Sequence, residues 1–244
     1  MAERAGRLCI VGDIHACPAE LETLLAALSL QPEDHLVCLG DYIDRGPDAK
    51  AVVDLLLGMK AAEACRCTFL KGNHEDMFLD FLGYDGLYGQ SFLMNGGDQT
   101  LASYRCDPWT PGHEVTVLMP DAHREFFLNL GLYLPAEAIL CVHAGINPGY
   151  SLEDQTAEDL LWIREDFFAH PHDLPYTVVF GHTPQREVGF DLPYKIGIDT
   201  GLVYGGKLTC LEITEKRLFQ IERGSRRVVM TDAQAYWAGA RATR

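Results

Sequence analysis

Five short turns carry side chains that can bind metal ions, and each follows a glycine or an apolar run. The turns are GDIH (12–15), GDYIDRG (40–46), GNHE (72–75), HAG (143–145) and GHTP (181–184). They offer carboxylate, amide and imidazole groups and no thiol, from Asp13, His15, Asp41, Asn73, His143 and His182. This donor set is typical of sites for Mn²⁺, Fe or Zn²⁺. It does not fit a closed structural site, which cysteine thiolates would form. Because six ligands are too many for one open site, we expect two divalent ions, about 3.5–4 Å apart, with Asp41 as the bridging carboxylate.

Strands that alternate with helices would position these turns. Apolar runs predict strands at 7–12, 35–40, 67–72, 138–143 and 177–182, which lead into the five turns. Helices are predicted from Pro18, from Pro47–Asp48 and over 74–82. Strands that alternate with helices at intervals of about 30 residues are typical of βαβ units, in which the strands form a largely parallel sheet. Since ligands bind beyond the carboxyl ends of such strands, the turns should meet in one crevice.

The remaining segments predict one domain over 1–244 that contains two sheets. Closely spaced apolar runs at 195–199, 207–214 and 217–222 predict a mainly antiparallel C-terminal third. Residues 83–120 are rich in Gly, Tyr, Asn and Pro, and we expect an irregular cap or substrate wall there. An Arg-rich tail follows at 223–244.

The five turns, in this order, resemble the metallophosphoesterases, and more narrowly the phosphoprotein phosphatase branch of bacterial and phage serine/threonine phosphatases. The stretch GIDTGLVYGGKLTCLEI (197–213) is similar to the closing strands of that family. The resemblance implies the calcineurin-like α/β/β/α fold, with two mixed β-sheets sandwiched between helices. It also implies one metal on Asp13, His15 and Asp41, and a second on Asp41, Asn73, His143 and His182.

Ala16 departs from the pattern of this family, and the segment 91–105 adds a further resemblance to it. The first motif usually continues with Gly and here has Ala16, which would be strained if the position needs a positive φ. The segment 91–105 resembles an NGG-containing stretch of bacterial family members, and we assign it no chemistry.

The residue types at the motif positions fit phosphoester hydrolysis by a hydroxide that bridges two metals. Arg45 directly follows a ligand turn and can bind phosphate oxygens, and Arg164 matches a second phosphate-binding arginine of the resembled family. His74 is the expected general acid for the leaving group, and Asp44 would keep it protonated and oriented.

The sequence thus predicts a dimetal phosphomonoesterase, in first place a serine/threonine protein phosphatase that acts on phosphoproteins or small phosphorylated substrates. The alternative is symmetrical hydrolysis of dinucleoside polyphosphates, whose enzymes typically lack the counterpart of Asp44 and have Asp in place of Glu75. These two residues therefore favour the protein phosphatase. A non-catalytic binding module is a remote alternative, because the ligand and acid residues are intact.

Composition limits the partners. The chain of 244 residues has a formal net charge of −15, which argues against nucleic-acid binding and against an anionic membrane surface. The acidity does not exclude an anionic substrate, because two divalent ions with the two arginines would make the crevice locally positive. No signal peptide or membrane span is visible, and several of the eight cysteines lie in apolar runs, so we expect free thiols and a cytoplasmic location. The oligomeric state is not predicted.

Overall fold

The computed structural model describes residues 6–240, so Arg241 and Arg244 of the Arg-rich tail lie outside the described residues. The strands are β1 (Leu8–Val11), β2 (His35–Cys38), β3 (Arg66–Phe69), β4 (Tyr133–Ala136), β5 (Ile139–Val142), β6 (Thr177–Phe180), β7 (Gly189–Asp191), β8 (Lys195–Gly197), β9 (Lys207–Glu212), β10 (Arg217–Glu222) and β11 (Val228–Asp232). The α-helices are α1 (Pro18–Leu28), α2 (Ala49–Ala61), α3 (Asn73–Leu82), α4 (Gly97–Ser103), α5 (Gly112–Leu118), α6 (Asp121–Leu128), α7 (Ala157–Trp162), α8 (Glu165–Ala169) and α9 (Gln234–Ala240). Short 3₁₀ helices cover Gly89–Ser91, Leu93–Asn95, Leu152–Asp154 and Leu202–Tyr204.

The strands form two mixed sheets. In the first sheet the strand order is β11-β10-β9-β1-β2-β3. Strands β1, β2 and β3 are parallel, and β9, β10 and β11 add to β1 as antiparallel neighbours. In the second sheet the order is β4-β5-β6-β8-β7. Here β5, β6 and β8 are parallel, and antiparallel β4 and β7 lie at the two edges.

Alternating side chains along the strands separate three apolar layers. In β1, Cys9 and Val11 pack in the cluster that holds the inner faces of α1 and α2. Ile10 points the other way and packs with residues of the second sheet such as Val179. A third cluster joins Phe180 of the second sheet to α7 and α8. The order helices, sheet, sheet, helices confirms the expected fold.

Local sequence explains how the helices leave the site turns. Pro18 is the first residue of α1, where its missing N–H has no intrahelical partner to lose. Asp48 caps α2 by accepting a hydrogen bond from the Ala51 N–H at 2.9 Å. Helix α3 begins directly after Gly72, so Asn73 and His74 lie in its first turn. The helix starts thus fix the direction in which several predicted site residues point.

The structure departs from the sequence prediction in short elements. Strand β8 pairs in parallel with β6 in the second sheet, so the C-terminal third is only partly antiparallel. Strands β4, β7 and β11 have no predicted counterpart, and the segment 83–120 contains α4, α5 and two 3₁₀ helices. These elements have three to seven residues, which is too short for periodicity to distinguish them from loops.

The helices and the cysteines bear on the cellular environment expected for the chain. Across residues 6–240, no helix combines the length and the apolar character that crossing a membrane requires. The eight cysteines are free, as expected. Burial raises the pKa of several thiols, for example that of Cys141 to about 12.

Candidate active site

The five predicted turns meet at the carboxyl ends of β1, β2 and β3 in one sheet and of β5 and β6 in the other. Within the first sheet, the His15 N–H donates to the Asp41 carbonyl at 2.7 Å. Between the sheets, the His182 N–H donates to Asp13 Oδ2 at 2.9 Å. Within the second sheet, the Gly181 N–H donates to the His143 carbonyl at 2.7 Å. Backbone hydrogen bonds therefore join the turns within each sheet, and the bond to the Asp13 carboxylate joins the turns of the two sheets.

Asp41 lies between two groups of potential metal ligands. Its Oδ2 is 3.4 Å from His15 Nε2 and 4.0 Å from His74 Nε2. Its Oδ1 is 3.4 Å from His143 Nε2. His15 and His74 form one group with Asp41, and His143 and His182 form the other, with the ligand atoms of each group within 4.8 Å of one another. Asp41 therefore turns one carboxylate oxygen towards each group.

Asn73 joins the second group. Its Oδ1 lies 3.0 Å from His143 Nε2 and 2.9 Å from His182 Nδ1. Five of the six predicted ligands thus lie in or directly against the two groups. The first group contains His74 rather than the sixth, Asp13, whose Oδ2 accepts a hydrogen bond from the His182 N–H.

The histidines are held in the neutral form that binds metals. Burial lowers the pKa of His15 to about 3 and that of His182 to about 2, and it also lowers the pKa of His143. His15 Nδ1 donates to the Ile43 carbonyl at 3.0 Å, and His143 Nδ1 donates to the Leu39 carbonyl at 3.1 Å. These bonds leave each Nε2 lone pair on the side of Asp41, which is the usual arrangement of a metal-binding imidazole.

Asp13 supplies the clearest sign that a cation fits this site. It is buried, and its Oδ1 has no hydrogen-bond partner among the described residues. Burial and the nearby carboxylates of Asp199 and Asp41 raise its pKa well above the usual value. Burial also raises the pKa of Asp199 to about 6. Divalent cations would relieve this crowding of carboxylates, so the residues present fit a dinuclear centre.

Two glycines make room for the carboxylates. A Cβ at Gly72 would overlap Asp41 Oδ1, and a Cβ at Gly181 would overlap Asp13 Oδ1. The glycines of the GNHE and GHTP turns are therefore required by the space that the predicted ligands occupy.

Several predicted site residues have strained backbones. His15, Asp41, Asp44, Arg45 and His182 have φ between +44° and +68°. Non-glycine residues rarely adopt this region, and such strain concentrates at functional sites. Ala16 also has a positive φ, of +52°, so the departure from the usual Gly does carry strain.

His74 and Asp44 form a buried pair beside the two groups. His74 Nδ1 is 2.6 Å from Asp44 Oδ2, and both side chains are almost completely buried. Burial by itself would lower the pKa of His74, but Asp41 and the hydrogen bond to Asp44 outweigh it and raise the pKa. The Thr100 hydroxyl donates to Asp44 Oδ1 at 2.6 Å, and Thr100 Oγ1 accepts from the Asp44 N–H at 2.9 Å. Thr100 lies in the segment to which the sequence assigned no chemistry.

Each of the two predicted arginines donates a hydrogen bond to a histidine of a different ligand group. Arg45 Nη1 donates to His15 Nε2 at 2.9 Å, and its guanidinium lies 5.5 Å from the ring centroid of Tyr204. Arg164 Nε donates to His182 Nε2 at 3.0 Å. A phosphate group at the centre would thus have a guanidinium on each side.

Glu75 acts on the backbone of the site. It is fully buried, and its carboxylate accepts hydrogen bonds from the N–H groups of Asp41, Tyr42 and Gly72 at 2.8–2.9 Å. A longer bond of 3.3 Å comes from the Ile43 N–H. Glu75 therefore holds the turn that carries Asp41.

Sequence reasoning missed Thr100, Asp199 and this role of Glu75. Asp199 ends the predicted run 195–199, two residues after β8, and this position at the end of a strand was the available signal. No such signal marks Thr100, because its contact with Asp44 joins residues 56 positions apart.

Comparison with known proteins places this geometry in a family. The profile of the family described as "Calcineurin-like phosphoesterase" matches residues 6–208. The chain is 28% identical over 242 residues to the bis(5'-nucleosyl)-tetraphosphatase PrpE [asymmetrical] of Oceanobacillus iheyensis, with 88% of this chain and 92% of the relative covered. It is 26% identical to the protein of the same name from Bacillus cereus, with 87% and 92% covered.

Solved structures share the fold. A crystal structure of a candidate diadenosine tetraphosphatase superposes with a TM-score of 0.68 at 25% identity, and the match covers 91% of this chain and 96% of that one. A serine/threonine phosphatase from Saccharomyces cerevisiae superposes with a TM-score of 0.58 at 13% identity, covering 94% and 80%. At that identity the second match shows the fold alone. The predicted metallophosphoesterase resemblance and the prediction of a hydrolase are confirmed: the chain belongs to the calcineurin-like phosphoesterase family.

Proposed function

We propose that this protein hydrolyses dinucleoside tetraphosphates. The observation that carries the proposal is its similarity, over nearly the full length of both chains, to relatives named bis(5'-nucleosyl)-tetraphosphatase. The candidate diadenosine tetraphosphatase with the same fold adds support. The serine/threonine phosphatase favoured by the sequence has weaker support, since the matching phosphatase structure is only 13% identical.

The two residues that favoured a protein phosphatase do not distinguish substrates. Glu75 is fully buried and bonded to backbone N–H groups. Asp44 is fully buried between His74 and Thr100. Because both carboxylates are buried in these contacts, neither can reach a substrate, and both instead support the structure of the centre. The difference between GNHE and GNHD then says little about what is hydrolysed.

We propose that Asp13, His15, Asp41, Asn73, His143 and His182 hold two divalent metal ions, with Asp41 shared. Manganese is our first choice, and iron or zinc also suit these donors. When bound, such ions lower the pKa of a coordinated water and neutralise phosphate charge. His15 and His143 contribute by presenting a neutral Nε2 whose direction is fixed by the bond at Nδ1.

The other proposed catalytic residues act on the phosphate and on the leaving group. Arg45 and Arg164 would bind the non-bridging oxygens from both sides, and the charge of a guanidinium persists at any working pH. His74 would donate a proton to the departing oxygen, and Asp44 keeps its Nδ1 protonated. Thr100 fixes Asp44 in turn and is a positioning residue.

The names of the relatives suggest the products. They are called asymmetrical, so for diadenosine tetraphosphate and one water we propose AMP and ATP as products. The symmetrical alternative predicted from the sequence would yield two ADP. A cytoplasmic location and the absence of nucleic-acid and membrane partners stay predictions.

The test is a product analysis with the purified chain and Mn²⁺. Diadenosine tetraphosphate, a phosphoserine peptide and an alkyl phosphate are supplied in parallel, and nucleotides are resolved by chromatography. We expect AMP and ATP in equal amounts, and no turnover by Asp41→Asn. Two ADP would support the symmetrical reaction instead. Preference for the peptide would overturn the proposal in favour of the protein phosphatase, and no turnover of any substrate with metal bound would favour a binding module.

A further inference from the structure

A small aromatic cavity adjoins the candidate active site. It has a volume of about 400 Å³ and is lined by Tyr88, Ser91, Asn95, Glu158 and Trp162. Larger cavities, of about 580 and 690 Å³, are lined by residues of β9–β11 and of β3 and α6, and none of the predicted metal ligands lines them. The small cavity differs because Trp162 has its ring centroid 6.2 Å from that of His182. A molecule in this cavity would therefore lie next to the centre.

The lining offers an aromatic surface formed by Tyr88 and Trp162. The Tyr88 ring packs edge-on against Trp162 with centroids 5.1 Å apart, and Tyr88 is 42% exposed. The indole Nε1–H of Trp162 is buried and has no hydrogen-bond partner among residues 6–240. The aromatic rings, rather than this buried N–H, are therefore the part of the lining that can bind a planar group.

Tyr88 is held in place at some cost. Its φ of +63° and ψ of +28° are in the left-handed region, which is strained for a bulky residue. Its hydroxyl donates to Glu158 Oε1 at 2.6 Å and so links the segment 83–120 to α7. The ring is thus fixed across the cavity from two sides.

We propose that this cavity binds a nucleobase of the substrate, with the base stacked on Tyr88 and in contact with Trp162. The inference rests on the proposed function and specifies it: one nucleoside would lie beside His182, and its phosphate would extend to Arg164. Phosphoserine has no aromatic group for such a cavity. Residues 83–120 would then form a wall for the base, as the sequence prediction of a substrate wall requires.

The kinetic test compares a substrate with a base and one without. Stacking of a base on an aromatic side chain is strong enough that Tyr88→Leu should raise the KM for diadenosine tetraphosphate about tenfold or more. The KM for inorganic tripolyphosphate, which has no base, should change less than about twofold on the same reasoning. Tyr236→Leu is the matched control, because Tyr236 is also exposed but stacks on Phe190 beside a different cavity, and both KM values should stay near those of the wild type.

A binding measurement gives a second readout. In a Trp109→Phe, Trp237→Phe background, Trp162 is the remaining tryptophan of the three in the chain. AMP should quench its fluorescence saturably, and ribose 5-phosphate should not. Tyr88→Leu should weaken the quenching by AMP.

The outcomes separate the two proposals. If the wild type hydrolyses diadenosine tetraphosphate and Tyr88→Leu leaves its KM unchanged, the base site is wrong and the proposed function stands. Equal effects of Tyr88→Leu on both substrates also contradict the base site. If the wild type does not hydrolyse diadenosine tetraphosphate, the proposed function fails, and the fluorescence titration alone decides whether the cavity binds a base.

Discussion

Replacing His74 with Asn should slow hydrolysis by an amount that depends on the leaving group. His74 Nδ1 lies 2.6 Å from Asp44 Oδ2, and its pKa is raised, so the ring is arranged to give a proton. General acids contribute about 10²–10⁴-fold when the leaving group needs that proton. An alkyl phosphate releases an alkoxide whose conjugate acid has a pKa of about 15, close to that of water. The terminal phosphate of departing ATP has a pKa of about 6 and can leave without full protonation.

We therefore expect His74→Asn to lower kcat about 10³-fold on an alkyl phosphate and less than about tenfold on diadenosine tetraphosphate. The assay measures kcat for both substrates and metal content for both proteins. The metal content should be unchanged, because the six proposed ligands do not include the His74 ring and the backbone N–H of residue 74 still donates to Asp41 Oδ1. His123→Asn is the matched control: His123 is buried against Tyr104 and Asp54, away from the centre, and should leave both kcat values unchanged. Equal losses on the two substrates, with metal retained, would refute the assignment of His74 as an acid.

Four further predictions follow from the structure. Thr100→Val should lower kcat on an alkyl phosphate about tenfold by freeing Asp44, and Thr100→Ser should restore it; equal kcat values for the two variants would contradict the role. Asp34→Asn should lower the free energy of unfolding by about 3 kcal/mol in urea titrations, because Arg7 would be left buried without its partner. Burial opposes the charge of Asp34, but hydrogen bonds from Arg7 outweigh it and lower the pKa of this carboxyl group. The carboxylate therefore contributes to the free energy of unfolding above its unfolded pKa, near 3.9, and this contribution is lost as pH falls through the folded pKa. The Asn variant should not show this loss of stability at low pH. Thiol reagents at pH 8 should label the folded chain slowly and the urea-unfolded chain fully, since seven of the eight thiols are buried and burial raises the pKa of several of them, that of Cys65 to about 12; rapid labelling of the folded chain would contradict this. Chelation should abolish activity and added Mn²⁺ should restore it, while the far-UV circular dichroism stays unchanged; activity that persists in the chelated protein would contradict a metal requirement.

The apolar strands that precede the site and the turns after them were predictable from sequence, because a buried parallel strand is an apolar run and polar residues follow its end. This reasoning gave the approximate positions of β1, β2, β3, β5 and β6, and the meeting of their turns. The sheet to which β8 belongs was not predictable from local spacing. The three residues of β8 pair with β6. Along the chain, the short antiparallel strand β7 lies between these two strands.

The predicted site residues were found by residue type, and their supporting contacts were not. Thr100, Asp199 and Glu75 act through hydrogen bonds or charge on residues far away in sequence, and no periodicity records such contacts. Glu75 was interpreted as a marker of substrate class because its motif position is known and its environment is not visible in the sequence. The structure shows that it bonds the backbone of the Asp41 turn.

The division of the candidate centre between two sheets has a consequence for how the protein loses activity. Asp13, His15, Asp41 and Asn73 follow strands of the first sheet, whereas His143 and His182 follow strands of the second. Neither half of the sandwich contains both ligand groups, so catalysis depends on the registration of one sheet against the other. Displacements near 1 Å are enough to disable a reacting geometry, and the apolar layer between the sheets sets that distance. A mutation in this layer, such as one at Val179, would therefore act as an active-site mutation at a distance, with activity falling before the fold does.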